Sequence, residues 1–253
     1  MTTFAALHHT DTPLLLLPNA WDHASARAFA DRGFRAIGTT SLGVAAAAGL
    51  PDGTSDTRDE TLRLALALGS DPYLLSVDAE DGYSEDPEKV AEFARELAAV
   101  GAVGINLEDR LGSPTLHAAK IQAVKAAAPG LFVNARTDTY WLGDGEGTLD
   151  RLDAYQQAGA DCVFAPGVTG PREIGALVKH LAVPLNILYT PTGPTLPQLA
   201  DLGVRRVSLG SLLYRRALGA ALEAVGEVRE GRAPGGAVPS YDAVDALSRR
   251  EAT

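Results

Sequence analysis

The chain has almost none of the residues that would tie it to an oxidising compartment, a membrane or a nucleic acid. Its 253 residues include one cysteine, Cys162, so no intramolecular disulfide can form. That suits a reducing compartment and makes the cytoplasm the expected location. No run of five or more basic residues occurs, and 22 Lys+Arg against 32 Asp+Glu give a net charge of −10. A chain of that sign is a poor partner for phosphate backbones, so nucleic acid is not an expected partner. Long hydrophobic runs are also missing. Leu14 to Leu17 is too short to span a bilayer, and MTTFAALHHTDTPLLLLPNAWD has neither the basic start nor the apolar stretch of a signal peptide. Membrane association is therefore not expected. A Gly-rich dinucleotide fingerprint is absent too: PNAWDHA follows the first strand candidate.

What remains is a 46% hydrophobic chain with enough apolar material for a sizeable core. Short apolar runs alternate with amphipathic stretches. Strands are expected at Leu14–Leu17, Phe34–Gly38, Tyr73–Val77, Val103–Leu107, Leu131–Ala135, Cys162–Ala165, Pro184–Ile187 and Val204–Leu209. Helices are expected between them, among them Trp21–Asp31, Asp56–Leu68 capped by Asp56 or Thr57, and Pro87–Val100 capped by Asp86. Pro18 and Asn19 should end the first strand. The small-residue stretch TTSLGVAAAAGLPDGTSD reads as a long connection. Eight strand-then-helix units predict a single (β/α)8 TIM-type barrel over residues 1–232, with a tail over 233–253 and a short helical extension at Tyr241–Arg249. A doubly wound sheet is the alternative. Composition alone favours a mobile tail.

In such a barrel the chemistry sits where the strands end. LLSVDAEDGY, Leu74 to Tyr83, runs from apolar residues into Asp78, Glu80 and Asp81. On an extended backbone Asp78 and Glu80 point the same way, and two carboxylates side by side repel unless a cation lies between them. A hard ion such as Mg²⁺ answers that need, and an acidic turn is the other reading. The other strand ends contribute Thr40 and Ser41, Glu108 and Asp109, Arg136 and Asp138, and Asn186 or Thr190. Arg136 could grip a carboxylate or phosphonate with its two-pronged guanidinium, or simply pair with Glu108 or Asp138. His8, His9, His23, His117 and His180 fall at no metal-ligand spacing, and Cys162 should be buried and inert.

The segments PNAWD, AIGTTSLGVAAAAGLPDG, SVDAEDGY, GINLEDR and NARTD, in this order between Pro18 and Leu218, resemble the isocitrate lyase and phosphoenolpyruvate mutase superfamily. The resemblance implies a barrel with Mg²⁺ (Mn²⁺ as a substitute) acting on a small anionic α-keto acid or phosphonate. A C–C or P–C bond is cleaved or formed beside a carboxylated carbonyl. It also implies a homodimer or homotetramer, often with the last helix packed on a neighbour. By position, Asp78 would ligate the metal directly, and Glu80 and Glu108 directly or through water. Thr40 and Ser41 would hold the substrate carboxylate, Arg136 would bind substrate, and Asp52 would lie near metal and substrate. Asn186 is a further substrate-binding candidate.

Two departures narrow this. Asp78-Ala79-Glu80 replaces the usual Asp-x-Asp. The loop DRLGSPTLHAAKI lacks the Lys-(Lys/Arg)-Cys-Gly-His segment of true isocitrate and methylisocitrate lyases, so neither activity is expected. The Asn-bearing gating loop of an authentic mutase is missing as well. The expectation is the broad phosphonomutase-like branch, cleaving an oxaloacetate- or phosphonopyruvate-type substrate. A mutase and a non-catalytic metabolite-binding barrel are the rivals.

Overall fold

Pro18 has no N–H to give a sheet, and the first strand breaks there into β1 (Leu15–Leu17) and β2 (Asn19–Ala20). Around the barrel follow β3 (Ala36–Thr39), β4 (Leu74–Asp78), β5 (Ala102–Glu108), β6 (Phe132–Arg136), β7 (Cys162–Phe164), β8 (Leu185–Leu188) and β9 (Arg206–Ser208). This computed structural model describes residues 3–9 and 14–248. All the strands run parallel, in the order β1-β9-β8-β7-β6-β5-β4-β3-β2. Since β1 and β2 are two halves of one strand, the order meets itself and the sheet forms a (β/α)8 barrel. Asn19 was expected to help end the first strand, but the strand resumes there. Its side chain joins the two sides of the closure. Nδ2 donates to the Thr39 carbonyl at 2.7 Å, and Oδ1 accepts from the N–H groups of Leu209 and Gly210 at 3.0 and 2.9 Å.

All eight helices expected around the barrel form: α2 (His23–Asp31), α4 (Arg58–Leu68), α5 (Pro87–Ala99), α6 (Pro114–Ala127), α8 (Thr148–Gln157), α9 (Pro171–His180), α10 (Leu196–Asp201) and α11 (Leu212–Arg229). Asp86 caps α5 through the Glu88 N–H, as Asp-Pro at a helix start should. Three more helices were not expected: α1 (Thr3–Ala6), α3 (Ser41–Ala48) and α7 (Thr139–Leu142). In α3 the run SLGVAAAA is held by alanine's helix propensity, where the sequence reading saw only a small-residue connection. In the tail, α12 (Tyr241–Ala246) is capped by Ser240, and Arg249 lies outside the described residues. Among the described residues no helix is long and apolar enough to cross a membrane.

Strand alternation divides the core in two. Leu75, Val77, Ile105, Leu107, Val133, Val163, Ile187 and Val207 face the helices in one large apolar cluster. The inward residues at the barrel floor, Leu17, Ala36, Phe132 and Cys162, form a second cluster closed by Phe4 from α1. A Cβ on Gly104 would come within 2.9 Å of the Phe4 ring, so the plug needs glycine there. His8 stacks on Phe132 at 4.4 Å between ring centroids and completes the floor. Above this layer the interior turns polar, with Ser76, Asn106, Asn134, Asn186, Arg206 and Ser208 all buried.

Because the Asn19 side chain bridges the closure through the Thr39 carbonyl and the Leu209 and Gly210 N–H groups, of which Leu209 also reaches the Leu17 carbonyl at 3.2 Å, Asn19→Ala should lower unfolding free energy by about 2 kcal/mol in urea titration. A loss below about 0.5 kcal/mol would show that the closure does not depend on it.

Candidate active site

The C-terminal ends of the strands surround a cavity of about 140 Å³ lined by Asn19, Thr40, Ser41, Asp52, Asp78, Asn106, Arg136, Trp141, Phe164 and Ser208, among others. Strand β4 delivers Asp78 as its last residue. The Asp78 N–H is held by Thr39 Oγ1 at 2.8 Å, and its Oδ2 accepts from the Ser41 N–H at 3.1 Å. That N–H is the first of α3, whose aligned dipoles favour negative charge at this end. Burial raises the Asp78 pKa above the ordinary carboxylate range, an effect opposed mainly by the charge of Arg136.

Glu80 does not share a strand face with Asp78. The strand stops at Asp78, and Glu80 adopts a left-handed backbone with φ +48°. Its side chain turns into the wall and is 1% exposed. Oε1 accepts a hydrogen bond from Thr57 Oγ1, so Thr57, at the N-cap position of α4, gives its hydroxyl to Glu80 instead of to the helix. Glu80 Oε2 is buried with no partner. Burial pushes its pKa up to about 7; Thr57 opposes the rise, and the neighbouring charges of Asp78, Asp52 and Asp81 add to it.

Glu108 ends β5 directly opposite Arg136 on β6. Its Oε2 lies 2.8 Å from Arg136 Nη1, while Arg136 Nε donates to Asp138 Oδ1 at 2.6 Å. The guanidinium expected to receive a substrate anion is thus largely engaged by two carboxylates, although it still lines the cavity. Even with this partner, burial drives Glu108 up to about 8, helped by Asp78, Asp138 and Glu80.

Asp109 turns away from the mouth. It receives the N–H groups of Leu111 and Asp138, Arg151 Nη1 at 2.8 Å and Tyr155 Oη at 2.6 Å, and so anchors the loop. Asn186 does not line the cavity. It is fully buried one step below, with Nδ2 donating to Ser208 Oγ at 3.0 Å, and of the two only Ser208 lines the cavity. Asp52 is exposed on the loop after α3 and faces the cavity. The sequence reading missed Asn19, Asn106, Trp141 and Ser208. For Asn106 and Ser208 a signal existed: Asn106 lies two residues before Glu108, and Ser208 two after the buried Arg206, on the same inward faces.

These residues fit a hard divalent ion. The donors are all oxygens, Glu80 Oε2 is buried and unsatisfied, and the acids outnumber the single guanidinium among them. Among the described residues no three acids stand close enough to enclose an ion by themselves. At the cavity itself the acids are Asp78 and Asp52, with Glu80 and Glu108 behind the lining, so such an ion would be held through Asp78 and would keep several waters, as Mg²⁺ does.

Comparison with known proteins gives a consistent picture. The sequence profile described as phosphoenolpyruvate phosphomutase matches residues 4–229. An uncharacterized protein of Mycobacterium tuberculosis is 45% identical over 236 residues, covering 90% of each chain. A 2-methylisocitrate lyase of Bacillus subtilis is 31% identical, over 74% of this chain and 67% of that one. An oxaloacetate decarboxylase of Pseudomonas paraeruginosa is 32% identical, over 92% and 84%. A solved structure from Burkholderia cenocepacia, provisionally assigned as a lyase/mutase, is 36% identical and superposes with a TM-score of 0.87, covering 97% of this chain and 94% of that one.

The raised carboxylates set a pH dependence. Folded Glu80 and Glu108 hold their protons more tightly than the unfolded chain does. The stability they contribute is present below the ordinary carboxylate range and is lost as pH rises through about 7 and about 8 respectively. The Tm of metal-free protein should therefore fall as pH rises from about 4.5 to about 8, more steeply up to about 7, where both groups contribute, than beyond it, at up to about 1.4 kcal/mol per group per pH unit. Glu80→Gln, which imitates the protonated acid, should flatten the lower part of that fall. A constant wild-type Tm across the range would contradict this.

Proposed function

The chain belongs to the phosphoenolpyruvate phosphomutase family, and from that premise we propose that it is a Mg²⁺-dependent lyase or hydrolase that cleaves a small α-keto acid through an enolpyruvate-like state. The observation that carries this reading is the unbalanced negative charge at the strand ends beside a helix N-terminus. Glu80 is buried and Asp78 and Glu108 are half-buried, each holds its proton unusually tightly, and Glu80 keeps a buried oxygen without a partner among the described residues. When bound, the ion would polarise the substrate carbonyl and offset enolate charge. Asp78 would hold it, with Glu80 and Glu108 acting through water.

The chain's own residues do the remaining work. The N-terminus of α3, at Thr40 and Ser41, favours the substrate carboxylate. Arg136, tethered by Glu108 and Asp138, contributes positive charge in a fixed place rather than a free clamp. Asp52 faces the cavity from a solvent-exposed loop, where it can exchange a proton with water. A cavity of about 140 Å³ suits a substrate of oxaloacetate size.

The name of the Pseudomonas relative supports oxaloacetate-type C–C cleavage. The family profile supports P–C chemistry on phosphonopyruvate as a second reading. A relative named 2-methylisocitrate lyase is also similar, but that activity is not proposed for this chain. The 109–120 segment has no cysteine, and Cys162 is buried in β7 with its thiol pushed up to about 12. The same buried free thiol is in keeping with a reducing, cytoplasmic setting.

We propose further that the protein is a homodimer or homotetramer. No residue of α11 is buried, while Leu218, Leu222 and Val225 on one of its faces are 50%, 65% and 67% exposed. An apolar stripe of this kind on an 18-residue helix calls for a covering surface.

A panel of oxaloacetate, phosphonopyruvate and 2-methylisocitrate, each with Mg²⁺ or with EDTA, tests the chemistry. Turnover of one of the first two that needs Mg²⁺, and that falls by about 10³-fold or more in Asp78→Ala, is expected. Turnover indifferent to EDTA, or cleavage of 2-methylisocitrate, would contradict the reading. For assembly, light scattering should give two or four chain masses for the wild type and a lower order for Leu222→Glu/Val225→Glu. A wild-type monomer would rule the interface out.

A further inference from the structure

Arg206 is fully buried inside the barrel, and among the described residues no carboxylate forms an ion pair with it. Its guanidinium instead reaches neutral groups: Nη2 donates to Asn106 Oδ1 at 3.1 Å and Nε to Ser208 Oγ at 3.3 Å, while Nη1 has no partner. Both neutral groups line the cavity. An arginine in the middle of a barrel, where bulky aliphatic residues usually pack, costs several kcal/mol in desolvation. Packing alone does not explain it.

The hydrogen-bond logic leaves one solution. A guanidinium only donates, so the Asn106 atom facing Arg206 must be the carbonyl oxygen. The same oxygen lies 2.7 Å from the Asn134 amide, which must therefore present its nitrogen. Asn134 Oδ1 is left buried and unsatisfied as a result. With both lone-pair directions of Asn106 Oδ1 filled from below, its Nδ2 is the end left over, and no described protein group accepts from it. Asn106 pairs in register with Asp78 on the neighbouring strand. The two side chains thus leave neighbouring strands at the same level, and both line the cavity.

We infer that Arg206 is a positioning residue: it locks the Asn106 side-chain amide so that Asn106 Nδ2 faces the cavity as a hydrogen-bond donor to an oxygen of an anionic ligand. Asn106 would otherwise be free to flip and present an acceptor, which would repel a carboxylate or an enolate oxygen. Asn134 backs the same orientation, and Ser208, gripped by Arg206 Nε and by Asn186, is set by the same cation. The ligand half of this inference rests on the α-keto acid reading. The orientation half rests on Arg206, Asn134 and Asn106 alone.

Two measurements separate the halves. In metal- and ligand-free protein labelled with ¹⁵N-asparagine, the Asn106 side-chain NH₂ pair is identified by its loss in Asn106→Leu. It should be a single sharp pair in the wild type, and should shift or broaden in Arg206→Met and Arg206→Lys. An unchanged pair in both folded variants overturns the positioning role whatever the ligand does. Calorimetric titration of oxalate in the presence of Mg²⁺ tests the donor role. Arg206→Met and Asn106→Leu should each weaken oxalate by about tenfold or more, and the double variant should lose no more than either alone.

Asn106→Asp supplies the readout that a merely structural role would not move. Its oxalate affinity, taken as a ratio to wild type at the same pH so that the titration of Glu80 and Glu108 cancels, should recover as pH is lowered and the new carboxyl gains a proton to donate. Oxalate affinity within about twofold of wild type in folded Arg206→Met, or a pH-independent Asn106→Asp ratio, overturns the donor role. Wild-type protein that fails to bind oxalate overturns the α-keto acid reading and the donor role with it, and the resonance arm still decides the orientation.

Discussion

More carboxylates end at the mouth of this barrel than its own cations can neutralise, and that imbalance governs the site. Asp78, Glu108 and Asp138 act on Arg136 while Glu80 lies in the wall behind Asp78, and burial alone would favour protonating several of these acids. A protein can relieve such crowding by adding basic residues, by exposing the acids to water, or by admitting an ion. This chain does little of the first two. Arg136 is shared between Glu108 and Asp138, Glu80 is sealed in the wall, and one of its oxygens is left unsatisfied. The structure thus stores its need for positive charge where a substrate would enter. The local backbone is held out of its relaxed form as well: Glu80 and Tyr83 sit at φ +48° and +61°, in a region that non-glycine residues seldom occupy.

The scaffold that maintains this crowding is divided by the two-residue period of its strands. Outward residues are aliphatic and pack against the helices in the larger of the two apolar clusters. The interior is apolar only at the floor, under the plug made by Phe4 and His8. Between floor and mouth a polar layer centred on Arg206 replaces the usual aliphatic filling. Its positive charge lies beneath Asp78 and offsets part of the acid excess from below. Floor, buried cation and acidic rim therefore form a vertical sequence, each layer setting the electrostatics of the one above.

Much of this was legible in the residues. The alternation of apolar runs and amphipathic stretches fixes the barrel, because strands buried on both faces and helices with one apolar stripe leave few other assemblies. Asp78, Ser41 and Arg136 could be placed at the rim because a strand's last residues must lie at its end. What could not be read was the direction of side chains beyond the strand. Glu80 was expected beside Asp78 on an extended backbone, and the left-handed turn sends it elsewhere. Asp109, adjacent to Glu108, points to Arg151 and Tyr155 from a helix 40 residues on, and no local pattern reveals such a partner. Asn186 lost its place because β8 carries it one layer too low. Asn106 and Arg206 share the inward parity of Glu108 and Ser208, but they lie one step below the strand ends, where residue type alone does not mark a site.

The account stands or falls on a divalent ion at Asp78. Anomalous diffraction from a crystal grown with Mn²⁺ and oxalate would locate that ion directly. The account predicts one strong peak about 2.1–2.2 Å from an Asp78 carboxylate oxygen, with oxalate on the same ion and Glu80 and Glu108 reached through water. A crystal in which oxalate occupies the cavity with no peak beside Asp78, or in which the ion sits away from the strand ends, would contradict it.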